Sequence, residues 1–277
     1  MIASKKTQSS EEIFLNQDVF KEYQSYIKST IGSELGKDKA SFVESRLRKR
    51  ILDLNCTFSS YLDLIKINLA EREFFVSRLT THKTEWFREP QHFDHMCLWM
   101  KDYDFQEVKI WSAASSSGEE CYSLAIKIKE NFPSEMPLKI LGTDIDSECL
   151  KKAQMAIYDK KIVVSQVSPA LVKKYFNKSG NPSLQDYFKV DKSLQENIKF
   201  RGFNLVTDSL PLQNYFDFIF LRNVLIYFTP EKCGQIIDQI SKNLKKGGLI
   251  YLGLSETLPK THLSQWERVD TSVYRKL

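Results

Sequence analysis

The sequence predicts a doubly wound α/β fold with a small antiparallel β insertion, preceded by a small all-helical domain, and three observations carry that reading. First, 110–124, IWSAASSSGEECYSL, reads as a strand alternating around Trp111, a turn of small residues, and a helix with Leu124, Ala125, Ile128 and Phe132 at helical spacing. Strand, small-residue turn and helix is how such sheets open a nucleotide site. Second, 216–228, FDFIFLRNVLIYF, is an almost continuous apolar run, as a buried central parallel strand requires. Third, 13–79 lacks strand-like alternation and holds only two glycines, Gly32 and Gly36, so it reads as three or four short helices.

The turn after the first strand narrows the ligand. Gly118 is its only glycine, so the G-x-G-x-x-G dinucleotide fingerprint is missing. Ser117 and Glu120 are spaced as a capping box, and a carboxylate at a helix N-terminus repels phosphate. A ligand with a cationic or hydroxyl-rich group suits this turn better than NAD or ATP.

Composition sets the outer bounds. The chain has 277 residues, 42% hydrophobic and 27% charged, enough for one large or two smaller domains. A net charge of +5 does not by itself indicate nucleic acid. The first residues lack a signal-peptide apolar core, and Asp217, Arg222 and Asn223 break the most apolar run, so no membrane span is expected. Five scattered cysteines without a C-x-x-C pair read as reduced thiols of a cytoplasmic protein. With four histidines and none at metal-ligand spacing to a cysteine, no metal site is expected.

In chain order, 1–12 is polar and expected to be disordered. The helical domain spans 13–80, its clearest helix being 39–54, with Val43, Leu47, Ile51 and Leu54 as an apolar stripe. Arg46, Lys49 and Arg50 share another face, read either as a solvated charged surface or as a dock for an acidic helical partner. Helices over 58–69 and 71–80 follow. The stretch 81–93, THKTEWFREPQHF, is either a ligand-facing crossover or a seam with Trp86 and Phe87 in the core and Arg88 paired to a carboxylate. The second domain spans 81–277. Its second strand, 139–142, leads to Asp144 at the tip, where such folds hold a ribose diol, with Asp146 as an alternative helix cap. A helix with Leu150, Ala153 and Ile157 comes next. Residues 159–203 form the insertion, with strands over 163–167 and 187–190, a helix over 169–176 and a turn over 178–182. A strand over 198–205 ends in Asn204. Arg222 and Asn223 interrupt the 216–228 run where ligand groups belong, and either a neighbouring loop or a ligand must satisfy them. Thr229 and Pro230 start a helix with Ile236, Ile237, Ile240 and Leu244 buried, closed by 245–248. Strands over 249–254 and 266–276 end the chain.

Taken together, RLRKR at 46–50, THKTEWFREPQHF at 81–93, WSAASSSGEECYSLA at 111–125, GTDID at 142–146, FNL at 203–205, the 216–228 run and GGLIYLGLSE at 247–256 resemble the CheR-type chemotaxis receptor methyltransferases. The resemblance runs from about residue 15 to near the end. It implies a Rossmann-like S-adenosylmethionine methyltransferase domain that methylates glutamate side chains of receptors, giving glutamyl methyl esters in sensory adaptation. S-adenosylhomocysteine would be the product. By this resemblance the cofactor contacts are His82, Thr84, Arg88, Ala114, Glu120, Asp144, Asn204, Leu205, Arg222, Asn223 and Val224. Arg88 and Tyr227 are the catalytic candidates, and Arg46, Lys49 and Arg50 the docking face for the receptor's cytoplasmic helical domain. His82, Trp86, Cys121 and Leu52 depart from the residues common in the family.

A glutamate carboxylate is already ionised at neutral pH, so this chemistry needs no general base. Monomer is the default expectation, and with no basic stripe interleaved with exposed aromatics beyond the one short helix, neither nucleic acid nor membrane insertion is expected. The rivals are a methyltransferase of the same fold acting on another protein or RNA, and an inactive cofactor-binding scaffold.

Overall fold

A computed structural model describes residues 14–80, 83–102, 106–133, 135–178 and 184–277. The start expected to be disordered, 1–12, and most of the turn at 178–182 lie outside the described residues. The chain divides into two compact units between residues 81 and 82.

The first unit holds four α-helices among its described residues: α1 Gln17–Thr30, α2 Ala40–Asp53, α3 Phe58–Ile67 and α4 Leu69–Leu79. Side chains set their starts. The Asn16 carboxamide accepts from the Val19 N–H at 2.9 Å to open α1, and Thr57 and Ser60 form a capping box on α3. Asn68 ends α3 and caps α4, accepting from the Glu71 N–H at 3.1 Å. That one residue divides the apolar stretch two residues earlier than helical spacing alone suggests. Val43, Leu47 and Ile51 are fully buried. Tyr23 packs edge-on against Phe58 and donates its hydroxyl to the Phe58 carbonyl at 2.7 Å, so its polar end is satisfied inside the core.

The second unit opens with α5 Pro90–Lys101, then β1 Val108–Ala113, α6 Glu119–Asn131, β2 Leu138–Asp144 and α7 Ser147–Met155. The insertion holds β3 Ile157–Asp159, α8 Lys160–Gln166, α9 Pro169–Tyr175, β4 Phe176–Lys178, β5 Tyr187–Val190 and α10 Lys192–Gln195. The chain then returns through β6 Ile198–Gly202, β7 Phe216–Leu221, α11 Pro230–Ser241 and β8 Leu244–Leu252 to β9 Trp266–Asp270 and β10 Val273–Lys276. The main sheet runs β6-β2-β1-β7-β8-β10-β9. Its first five strands are parallel, and β10 and β9 add an antiparallel edge. A second sheet, β3-β5-β4, is the antiparallel insertion.

The sheet separates two apolar layers. Phe218, Phe220 and Tyr251 face α5 and α6, with Phe220 and Tyr251 stacked at 4.4 Å between ring centres. Ile219, Leu221, Ile250 and Leu252 face the α11 side, with Ile236, Ile237 and Ile240. The strand order reverses at β1, with β2 on one side and β7 on the other. A crevice at the carboxyl ends of β1 and β7 is where open α/β sheets take ligands.

Several elements differ from expectation. Residues 163–167 are not a strand: the Asp159 carboxylate accepts from the Lys161 and Ile162 N–H groups, at 2.7 and 3.3 Å, and starts α8. Val163, fully buried, points that helix inward, so capping and burial override β-branched propensity. The helix carrying Leu150 and Ala153 stops at Met155, because Ala156 turns left-handed with φ 56°, and Ile157 opens β3 instead. β6 ends at Gly202, short of Asn204. The 216–228 run is strand only to Leu221. Leu244 and the 245–248 stretch belong to β8, since α11 already ends at Ser241. The closing segment is a hairpin, turned at Ser272 with φ 55°.

Leu47→Ala removes a fully buried side chain from the helical unit. It should destabilise that unit by about 2–5 kcal/mol in denaturant unfolding followed by circular dichroism. A loss under about 1 kcal/mol would mean that α2 is not packed as described.

Candidate active site

Arg222 and Asn223 follow β7 directly, and Ala114 follows β1, so the reversal of strand order brings them to one end of the sheet. Arg222 lies between two carboxylates, with its side chain only 2% exposed. Its Nη1 donates to Glu120 Oε2 at 2.9 Å, while Nε and Nη2 donate to Glu89 Oε2 at 3.3 and 2.9 Å. Nη2 also donates to the Arg88 carbonyl, and the guanidinium lies 5.4 Å from the Phe93 ring centre. The Ser112 hydroxyl donates to the other Glu120 oxygen at 2.7 Å. Two carboxylates around one guanidinium leave the cluster one net negative charge.

Glu120 therefore serves a different purpose from helix capping. Gly118, with φ 96°, is the N-cap of α6 and supplies no side chain, and the Ser117 hydroxyl turns to Glu119. The capping box does not form, because Arg222 and Ser112 take up the Glu120 carboxylate. Across this turn Ala114, Ser116 and Gly118 have φ of 74°, 48° and 96°. A left-handed backbone at residues other than glycine is costly and collects at ligand sites. A Cβ on Gly118 would sit 2.8 Å from the Ala153 Cβ, so the turn also needs glycine for close approach.

Asp144, at the tip of β2, accepts from the Ser116 N–H at 2.8 Å and the Asp146 N–H at 2.9 Å, one on each oxygen. Asp146 is the cap of α7, accepting from Glu148 and Cys149 N–H groups at 2.7 and 3.2 Å. Of the two roles the sequence offers these aspartates, the helix cap falls to Asp146. Asn204 makes an Asx turn through its carboxamide oxygen, which accepts from the Val206 N–H at 2.9 Å, and Leu205 packs into the α11-side core.

In the stretch before α5, Trp86 lies in the core and Phe87 packs against it. Trp86 is buried edge-on to Tyr158 and Phe176, with ring centres 5.0 Å apart in both pairs. The Trp86 backbone N–H donates to Gln166 Oε1 at 2.9 Å, and the Phe87 backbone N–H donates to the Ser123 hydroxyl at 3.0 Å. Thr84 and Arg88 remain half-exposed. The Arg88 guanidinium donates to the Lys83 carbonyl at 3.1 Å. His82 lies outside the described residues. Tyr227 is 40% exposed on a 3₁₀ turn, Leu225–Tyr227, and Val224 just before it is half-buried. In the helical unit Arg46 and Lys49 are exposed. Arg50 instead pairs with Glu71, which also accepts from the Tyr61 hydroxyl at 3.3 Å, so Arg50 ties α2 to α4.

Sequence reasoning missed two acids, Glu89 and Glu256. The Glu89 Oε1 accepts from Asn223 Nδ2 at 3.2 Å and the Leu254 N–H at 3.3 Å, completing the contacts with Arg222. Burial pushes its pKa up, but the Arg222 cation and these hydrogen bonds outweigh that and hold it below the usual range. Glu256, buried just beyond β8, accepts from the N–H groups of Asn223, Gly253 and Leu225 at 2.8, 2.6 and 2.8 Å and of Ile226 at 3.3 Å. The available signal was position: each acid borders a turn at the ligand end of the sheet.

The crevice suits S-adenosylmethionine. Its net negative cluster favours a cationic ligand, and the Ser115 hydroxyl is buried without a hydrogen-bond partner.

His92, 1% exposed, is 3.5 Å from Glu89 Oε2. Burial and the Arg222 cation push its pKa down to about 4, against an ordinary 6.5. A folded value below the unfolded one means that neutral His92 supports the fold fully above pH 6.5. That support is lost as pH falls from about 6.5 towards 4, by roughly 3 kcal/mol in all. His92→Phe should flatten the dependence of unfolding free energy on pH in that window. The same slope in the variant would remove His92 as its source.

Both units match known domains. Residues 82–274 fit the family described as CheR methyltransferase, SAM binding domain, and residues 18–80 fit CheR methyltransferase, all-alpha domain. A probable chemotaxis protein methyltransferase of Rhizobium etli is 34% identical over 264 residues, covering 90% of this chain and 96% of that protein. The chemotaxis protein methyltransferase of Vibrio parahaemolyticus is 33% identical, covering 89% and 91% of the two chains. That of Escherichia coli is 31% identical, covering 93% and 90%. A likeness that spans both units and nearly the full length of each relative establishes that the chain belongs to the CheR methyltransferases, enzymes that use S-adenosylmethionine.

Proposed function

We propose that this enzyme methylates glutamate side chains in the cytoplasmic helical domain of chemotaxis receptors, acting as a cytoplasmic monomer. The observation that carries the reading is the buried Arg222 cluster, with one net negative charge, at the switch point of a sheet whose family uses a sulfonium cofactor. S-adenosylmethionine supplies an activated methyl group, which a carboxylate oxygen takes as the carbon–sulfur bond breaks, leaving S-adenosylhomocysteine and moving no proton.

Each residue then has a limited task. Asp144 holds the ribose hydroxyls, while Glu120, Ala114 and Arg222 face the methionine end. Asn204, Leu205, Asn223 and Val224 wall the nucleoside, and Thr84 borders the pocket. Arg88 orients a carboxylate with its half-exposed guanidinium, and the Arg222 bond to its carbonyl fixes the backbone that carries it. Tyr227, exposed beyond Val224, excludes water beside the reacting carboxylate. Positioning of this kind is the protein's main contribution when the nucleophile is already charged. No helix of the described residues is long and apolar enough to cross a membrane. For docking, Arg46 and Lys49 offer exposed positive charge to acidic receptor helices, whereas Arg50 is committed to Glu71.

Incubation with methyl-labelled S-adenosylmethionine and receptor-bearing membranes tests the reading. Label on a receptor-sized protein, released as methanol in mild alkali, is the expected result. Alkali-stable label would overturn the substrate, and cofactor binding without label would favour a scaffold. Arg88→Ala should lower turnover on the order of 100-fold while leaving the unfolding midpoint nearly unchanged. Undiminished turnover would remove Arg88 from the site.

A further inference from the structure

We propose that Glu89 and Glu256 are positioning residues that together clamp 222–224 into its cofactor-binding shape. The proposal rests on the reading of Arg222, Asn223 and Val224 as cofactor contacts. Neither glutamate is assigned a contact with cofactor or substrate and, beyond the charge that Glu89 lends the cluster, each acts through that segment.

Asn223 is the pivot. It holds a left-handed backbone, φ 56°, which asparagine tolerates better than most residues but which its neighbours must still fix in one arrangement. Two carboxylates do so. The Asn223 N–H donates to Glu256 Oε2 at 2.8 Å, and its Nδ2 donates to Glu89 Oε1 at 3.2 Å. Backbone and side chain of one residue are thus fixed by different acids from different loops.

Glu256 works as a buried acceptor. Oε2 takes the Asn223 and Gly253 N–H groups, and Oε1 takes those of Leu225 and Ile226. Four N–H groups converge on two oxygens, an arrangement that only a carboxylate satisfies. An amide in its place would aim an NH₂ group at two donors. Gly253 makes the approach possible, since a Cβ there would lie 2.5 Å from Asn223 Nδ2 and 2.8 Å from Glu256 Oε2. Glu89 supplies the other jaw. Its own φ is 54°, and its oxygens gather Arg222, Asn223 and the Leu254 N–H. The residue before it, Arg88, gives its carbonyl to Arg222, so the clamp also registers the Arg88 loop against the end of β7.

The test measures S-adenosylhomocysteine affinity and the KM for S-adenosylmethionine, with receptor-bearing membranes as substrate. The proteins are wild type, Glu89→Gln, Glu256→Gln, Asn223→Ala and, as a control for plain destabilisation, Ile237→Val in the α11-side core. Both glutamine variants should raise Kd and KM about tenfold, the equivalent of one charge-assisted hydrogen bond, with kcat at saturation within about threefold of wild type. Ile237→Val should lower the unfolding midpoint and leave KM alone. Wild-type affinity in Asn223→Ala would overturn the cofactor-wall reading itself. Weakened Asn223→Ala with wild-type affinity in the glutamine variants would overturn the clamp alone, as would an equal rise in KM for Ile237→Val. Should Glu256→Gln fail to fold, Glu89→Gln decides.

Discussion

The burial of one guanidinium between two carboxylates is the constraint on which the active end of this molecule depends. Arg222 makes hydrogen bonds to Glu120, Glu89 and the Arg88 carbonyl, so a single side chain joins the end of β7, the start of α6 and the loop before α5. Breaking a buried pair by removing one partner costs roughly 3–5 kcal/mol, because the remaining charge stays desolvated. Any arrangement of these loops that left Arg222 unpaired is therefore strongly disfavoured. The apolar sheet supplies the platform, and this polar cluster selects the one loop arrangement that satisfies it.

The same cluster explains what the crevice accepts. A dinucleotide site at this switch point presents glycine-rich backbone and a helix N-terminus to phosphate. Here Glu119 and Glu120 occupy the first turn of α6, and the cluster keeps one negative charge after Arg222 is counted. Phosphate is repelled and a cation is favoured. The left-handed residues Ala114, Ser116, Glu89 and Asn223 gather at the ends of β1 and β7 and in the loop before α5. With Phe87, φ 53°, they make five of the nine non-glycine residues of positive φ among the described residues.

Much of this was legible in the sequence, for identifiable reasons. Trp111 alternation and the 216–228 run expose the sheet because burial imposes period two or continuous apolarity on strands. Asp144 and Asp146 could be placed because strand tips and helix caps are local features. The failures are equally physical. Residues 163–167 look like a strand by β-branching, but a single Asp159 cap makes them helix. Ser117 and Glu120 match a capping box, yet a partner about a hundred positions away takes the carboxylate. Glu89 and Glu256 carry no local pattern at all, since their roles come from contacts 133 and 33 positions distant. Arg50 looked like a docking charge because helical spacing shows which face a residue occupies without showing that Glu71 waits there.

The central claim is that the fork of Arg222, beyond its charge, shapes the cofactor site. Arg222→Lys keeps the charge but cannot reach Glu89, Glu120 and the Arg88 carbonyl together. Calorimetric titration with S-adenosylhomocysteine is the most direct measurement. The account predicts at least roughly tenfold weaker binding in a protein whose secondary structure is unchanged. Wild-type affinity in Arg222→Lys would contradict it, and the site would then owe its shape to the sheet alone.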